Sequence, residues 1–267
     1  MNFSTSSTAG KLRYKYFQKL PNFGDAINPY LLKEIFPHAE LLIESDFKTC
    51  ESVHLLAIGS ILQWANSRSI CWGTGAISKE IFFHTAPMRV LATRGPLTDR
   101  LLQLQGIDTP KIFGDPALLL PWLYKPKTVD PKYKLGVIPH YVDKDHPVIN
   151  HLKGEGALII DVFSGIEPFV DAVCSCENII SSSLHGLICA DSFNVKNAWI
   201  KLSNNIIGND FKFYDYYASL GIERSFYSAR DLSSLDTISK FCRLDKSKLD
   251  LTVLLATLLD NADLFIL

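Results

Sequence analysis

A chain of 267 residues, 47% hydrophobic and 21% charged, has an ordinary globular composition. It is long enough for one large α/β domain or for two of roughly 100–150 residues. The formal net charge is -1 with no long run of one sign, which argues against a nucleic-acid binder, since such proteins carry a basic excess. Apolar runs such as Ala117–Leu123 are too short to span a bilayer, so no transmembrane segment is expected. The stretch from Met1 to Gly10 lacks the basic and apolar regions of a secretory signal and reads as a polar leader. Six cysteines, at 50, 71, 174, 176, 189 and 242, are expected as reduced thiols. The lone C-x-C of Cys174 and Cys176 has no second Cys/His pair to complete a zinc site, so no metal is expected.

Short apolar, β-rich runs alternate with helical patterns along the chain. Leu12–Phe17 reads as a first strand and Asn28–Phe36 as a helix with Pro29 in its first turn. Val53–Ile58 reads as a buried parallel strand ending in Gly59-Ser60. Ser69–Trp72 ends in Gly73-Thr74-Gly75, and Val90–Thr93 ends in Arg94-Gly95-Pro96. A helix follows over Pro96–Gln105 and stops at Gly106. Lys111–Phe113 reads as a short strand before Gly114-Asp115-Pro116. The polar, proline-bearing stretch 124–133 reads as a linker between an N-terminal domain, 1–123, and a C-terminal domain, 134–267. In the latter, Leu135–Ile138, Ala157–Ile160, Asn178–Ser181 and Asn197–Ile200 are strand candidates, with helices near Glu167–Cys176 and Leu184–Phe193. The apolar stretch Leu251–Leu267 reads as a packed helix able to return to the N-terminal domain. The alternation predicts an α/β protein of two Rossmann-like domains, with parallel sheets facing across a cleft.

Ligands of such sheets bind outside the carboxyl ends of the strands, so the turns there should carry the chemistry. In Asn22-Phe23-Gly24-Asp25, Asp25 can cap a helix or orient a substrate hydroxyl. Arg94 stands at a strand end before a helix N-terminus, a place for a bidentate contact to carboxylate or phosphate; a structural ion pair is the plainer alternative. Asp115 can cap the turn at Pro116, or align Arg94 or a hydroxyl. His185 follows Ser181-Ser182-Ser183 and opens an apolar helix, where it can bind an anion or move a proton near neutral pH. Lys212 lies in the aromatic stretch Asp210–Tyr217 and could reach a phosphate, while the tyrosines there fill a core. His140, after a strand, can line the cleft or the surface. There is no phosphate loop of the G-x-x-x-x-G-K type, no H-E-x-x-H helix and no G-x-S-x-G elbow.

Taken together, Asn22–Asp25, Ala57–Ser60, Trp72–Gly75, Thr93–Thr98, Gly114–Pro116 and Ser182–Ile188 resemble the polysaccharide pyruvyl transferase family. The likeness spans about Leu12 to Ile200, and its most specific pieces are R-G-P and S-S-L-H-G in that order. It implies a GT-B-like fold and transfer of the enolpyruvyl group of phosphoenolpyruvate onto two hydroxyls of one sugar, with release of phosphate. It also implies His185, Asp25 and Asp115 as catalytic groups. Arg94, Ser182, Ser183, His185, Gly59, Ser60 and Lys212 would bind the donor, and Asn22, Asp25, His140 and Trp72 the acceptor. No cofactor is implied beyond phosphoenolpyruvate as a substrate. The acceptor would be a sugar of a surface polysaccharide, lipid-linked in some cases, which would bring a cytoplasmic chain to the inner face of the membrane. The alternatives are a nucleotide-sugar glycosyltransferase of the same architecture and a non-catalytic sugar- or anion-binding protein.

Overall fold

The computed structural model describes residues 9–44, 51–127, 130–245 and 248–267. Most of the polar leader, Cys50 and linker residues 128–129 lie outside the described residues. In chain order the main elements are β1 (Gly10–Lys15), α1 (Phe23–Ile35), β2 (Ala39–Ile43), β3 (His54–Leu56), β4 (Ser69–Trp72), β5 (Arg89–Ala92) and α2 (Pro96–Gln103). They continue with α3 (Leu120–Leu123), β6 (Gly136–Ile138), α4 (Pro147–Gly154), β7 (Leu158–Ile159), α5 (Ile166–Cys174), β8 (Asn178–Ser181), α6 (Leu184–Ser192) and β9 (Lys196–Lys201). The last are α7 (Phe211–Leu220), β10 (Tyr227–Ser228), α8 (Leu235–Ser239) and α9 (Leu251–Leu259).

The chain divides into two compact units. The first comprises Met1–Pro116, Asp210–Ile222 and Ser247–Leu267; the second comprises Ala117–Asn209 and Glu223–Lys246. The chain therefore re-enters the first unit twice after leaving it, where the sequence suggests a second domain over 134–267 with only its last helix able to return.

Each unit holds a parallel sheet. The described strands of the first run in the order β2-β1-β3-β4-β5, and those of the second in the order β7-β6-β8-β9-β10. In each, the first strand is flanked by the second and third, which is the doubly wound order 2-1-3-4-5. The chain direction reverses beside β1 in one unit and beside β6 in the other, and that reversal opens a crevice at the carboxyl ends. The two halves, alike only in texture as sequences, thus share one topology. Parallel strands buried on both faces carry mostly apolar side chains, and in the buried His54-Leu55-Leu56 and Asn178-Ile179-Ile180-Ser181 the polar ones are hydrogen-bonded: His54 to Ser69, Asn178 to the Lys134 carbonyl and Ser181 to the Ile138 carbonyl.

Several elements differ from the sequence expectation for local reasons. Helix α1 begins at Phe23 rather than Asn28, because Asn22 caps it and Asp25 completes the capping box. Pro29 then falls inside the helix, where it cannot donate to the Asp25 carbonyl. The Asn28 side-chain amide takes that carbonyl instead, at 3.1 Å. Lys111–Phe113 is not a strand: it makes a single bridge, Thr93 to Phe113. Strand β2, helix α4 and strand β10 were not legible, being short or weakly patterned. Strand β3 pairs with β1 only at Tyr14 and Lys15. The earlier part of that edge is taken by the far end of the chain, with Lys11 and Leu267 exchanging backbone hydrogen bonds of 2.7 and 3.1 Å.

Asn28 also fixes the first crevice. Its amide donates to the Ile58 carbonyl at 3.1 Å and accepts from the Ile58 N–H at 2.9 Å, clamping α1 to the turn after β3. Asn28→Ala orphans both Ile58 groups, at roughly 1–3 kcal/mol for each buried group left unpaired. Urea unfolding should show a lowered midpoint with an unchanged slope.

Candidate active site

The crevice of the first unit lies between the carboxyl ends of β1 and β3. Tyr16 follows β1, Gly59 and Ser60 follow β3, and Asn22 and Asp25 open α1. Lys212, the second residue of α7, belongs to the same cluster: its charge is felt with those of Asp25, Asp210 and Arg94. Tyr16, Asn22, Asp25 and Ser60 are all partly exposed, so a ligand can reach them, while the Lys212 ammonium is buried beside them. Burial, followed by repulsion from Arg94, pushes the Lys212 ammonium down to about 8, against the pull of Asp25 and Asp210. Its nitrogen lies 5.5 Å from the Phe213 ring centroid. Burial and then the Asp25 carboxylate raise the Tyr16 phenol.

Beneath this cluster Arg94 forms a buried ion pair with Asp215 of α7, both side chains being fully inaccessible. Arg94 Nε donates to Asp215 Oδ2 at 3.0 Å, Nη2 to the Ala76 carbonyl at 2.9 Å and Nη1 to Ser60 Oγ at 2.7 Å. Asp215 also accepts from the Thr98 N–H at 2.9 Å and from its hydroxyl at 2.6 Å. Two glycines make room. A methyl group on Gly75 would meet the Arg94 guanidinium carbon, and one on Gly95 would lie 2.6 Å from Asp215 Oδ1. Arg94 thus stands in a buried ion pair, which was the plainer of the two readings left open by the sequence. What it offers the crevice is indirect: Ser60 Oγ accepts from the guanidinium, so its own proton points elsewhere. Asp215 is the residue that sequence reasoning missed. It is hidden in an aromatic helix, 121 residues from its partner.

The indole of Trp72 is fully buried and donates to the Leu254 carbonyl at 2.8 Å, anchoring α9. Asp115 follows the bridged Thr93–Phe113 segment and is fully buried.

The second unit builds its own crevice between β6 and β8. Ser182 donates its backbone N–H to the Ile138 carbonyl at 3.1 Å, and its hydroxyl accepts from the His140 N–H at 2.8 Å. Ser181 Oγ accepts from the Ser183 N–H at 2.9 Å and lies 3.0 Å from the Ile138 carbonyl. These bonds fix the turn that starts α6. Leu184 and His185 open that helix, where backbone N–H groups precede the intrahelical ladder and favour an anion. Gly186 lets the helix sit close, since a methyl there would lie 2.5 Å from Ser181 Oγ. His185 is partly exposed and Ser183 nearly buried. Thus His140, Ser182, Ser183 and His185 come together in this unit. Asn22, Asp25, Gly59, Ser60 and Lys212 come together in the other.

Burial pushes the thiol of Cys174 up to about 11 and that of Cys176 up to about 12. Among the described residues no helix is long and apolar enough to cross a membrane.

Two parallel sheets of one topology, each with a polar cluster at its strand reversal, define an α/β protein of two Rossmann-like units. The sequence matches the family model described as polysaccharide pyruvyl transferase over residues 22–204, and the chain belongs to that family. It is 30% identical over 246 residues to an uncharacterized protein of Acanthamoeba polyphaga mimivirus, covering 88% of this chain and 80% of the relative. No solved structure matches. The family match includes both crevice turns but ends before α7, so it does not include Asp215.

Removing either member of the Arg94–Asp215 pair strands a buried charge, at about 3–5 kcal/mol. Arg94→Ala and Asp215→Ala should each lower the thermal midpoint by several degrees, and the double variant by less than the sum. Additive losses in a double-mutant cycle would show that the pair is not coupled.

Proposed function

We propose that the chain moves the enolpyruvyl group of phosphoenolpyruvate onto two hydroxyls of one sugar, forming a ketal and releasing phosphate. The observation that carries this reading is the family match over residues 22–204, which takes in Asn22–Asp25, Gly59–Ser60, Arg94 and the Ser182–His185 turn. The atoms balance without a further reagent. The methylene carbon gains one proton, the leaving phosphate gains the other, and both come from the two sugar hydroxyls.

The donor carries a carboxylate and a phosphate, so it needs cations and N–H or O–H donors. Lys212, Ser60, Ser182, Ser183 and His185 are the groups proposed to supply these. Arg94 acts through Ser60 and Asp215 as a positioning residue. His185 is the acid–base group, delivering the proton to the methylene carbon or removing one from a hydroxyl. Asp25 and Asn22 orient a sugar hydroxyl, with Asp25 accepting its proton, and His140 contacts the acceptor. Asp115 supports this machinery from its buried position. A lipid-linked acceptor would bring the chain to the inner face of the cytoplasmic membrane, and phosphoenolpyruvate is the expected donor in place of any bound cofactor.

Phosphate release from phosphoenolpyruvate, measured against a panel of acceptor glycosides, tests the reading. Acceptor-dependent release supports it. A nucleoside diphosphate that raises the melting temperature where phosphoenolpyruvate does not would replace it with glycosyl transfer. His185→Ala should lower the rate by about 100-fold or more, the scale of a lost acid–base group. Lys212 holds its proton below about 8 and loses it above. Donor affinity should therefore fall as pH rises through about 8, and Lys212→Met should be weaker below about 8 and flat across that range. A wild-type profile that is equally flat would remove Lys212 from the donor site.

A further inference from the structure

The carboxyl ends of β6 and β7 carry three aromatic rings that the core does not use. His140 and Tyr141 follow β6, with ring centroids 4.3 Å apart and planes tilted by 32°. Phe163 follows β7, its centroid 6.1 Å from that of Tyr141 at a tilt of 45°. Phe163 is 45% exposed, which forgoes much of the ~2 kcal/mol that burial of such a side chain brings. Yet the turn that presents it is well built. Asp161 Oδ1 accepts from the Phe163 N–H at 3.0 Å, Ser164 Oγ donates to the Asp161 carbonyl at 2.9 Å, and Val162 is buried. The ring is held out in solvent by an ordered turn.

A second observation lies on the single helical turn Tyr141–Asp143. Asp143 is only 3% exposed. One carboxylate oxygen accepts from Ser203 Oγ at 2.5 Å, while the other, buried, has no hydrogen-bond partner. A buried acceptor left without a donor costs about 1–3 kcal/mol, more when charged, so it calls for a donor brought by water or ligand.

A pyranose supplies what both features lack. Its C–H face is apolar and packs on aromatic rings, and its hydroxyls donate to carboxylates. The rings are tilted against one another, unlike the parallel slot that would sandwich a nucleobase. We propose that His140, Tyr141 and Phe163 form a stacking platform for the acceptor sugar, with the buried Asp143 accepting from a water that bridges it to one of the sugar hydroxyls. The ligand's role as acceptor rests on the transferase reading; its binding does not.

Ligand-observed NMR titration of the full chain with a panel of methyl hexosides and N-acetylhexosaminides, without donor, tests the platform. At least one glycoside should bind, and Phe163→Ala and Tyr141→Ala should each weaken it by about five- to tenfold. Phe163→Tyr, which keeps a ring, should stay within about twofold of wild type. Asp143→Asn keeps an acceptor for Ser203 and should weaken binding by about threefold or more. Phosphoenolpyruvate affinity, read from the melting-temperature shift, should be the same in wild type and all four variants. Glycosides bound equally by the alanine variants would overturn the proposal. So would no glycoside binding at all, or loss in these variants of nucleotide binding instead. Glycoside binding with no response to phosphoenolpyruvate would overturn the transferase reading and leave the platform standing.

Discussion

The ion pair between Arg94 and Asp215 is the contact on which the first unit's site depends. It joins the end of β5 to α7, a helix that arrives only after the chain has built most of its second unit. Two charges buried in this way are stable only when every neighbour is arranged around them. Here Thr98, Ser60 and the Ala76 carbonyl complete the arrangement, and Gly75 and Gly95 give up side chains to admit it. The same guanidinium that orders Ser60 also lowers the proton affinity of Lys212. One buried charge thereby orders Ser60 and adds to what burial, the larger cause, does to Lys212.

The shared strand order explains why polar residues gather where they do. At a strand reversal the flanking connections leave in opposite directions, so backbone ends and helix starts are left facing an open crevice. In the first unit that place is held by the Asn28 clamp, and in the second by hydrogen bonds between the turns after β6 and β8. Both devices use side-chain amides or hydroxyls to satisfy backbone groups that strands would otherwise pair. The rigidity of these turns comes from that substitution, and the accessible side chains beside them are held in fixed positions.

Much of this was legible in the sequence because it is local. Glycine and proline mark the turns after β3, β4, β5 and β8, and apolar runs mark the strands between them. The residues Asn22, Asp25, Ser60, Ser182 and His185 can be picked out for that reason. What was not legible is what depends on distant partners. Arg94 is held by Asp215, 121 residues away, and Trp72 by the Leu254 carbonyl, 182 residues away. Neither partner has a pattern of its own, since both sit in helices that read as apolar filler. Tyr141 and Phe163 were missed for the opposite reason: aromatics in a chain read as core, and only their exposure shows otherwise.

The return of the chain to its first unit has a consequence for synthesis. Ribosomes deliver residues in order, and the second unit's segments are complete by Lys246. The first unit must wait for Leu254 to receive the Trp72 indole and for Leu267 to pair with Lys11. Until those residues emerge, the Trp72 indole lacks its acceptor and the start of β1 lacks the Leu267 backbone beside it. A nascent first unit that has not yet received them exposes apolar surface and should be a better chaperone client than the folded chain.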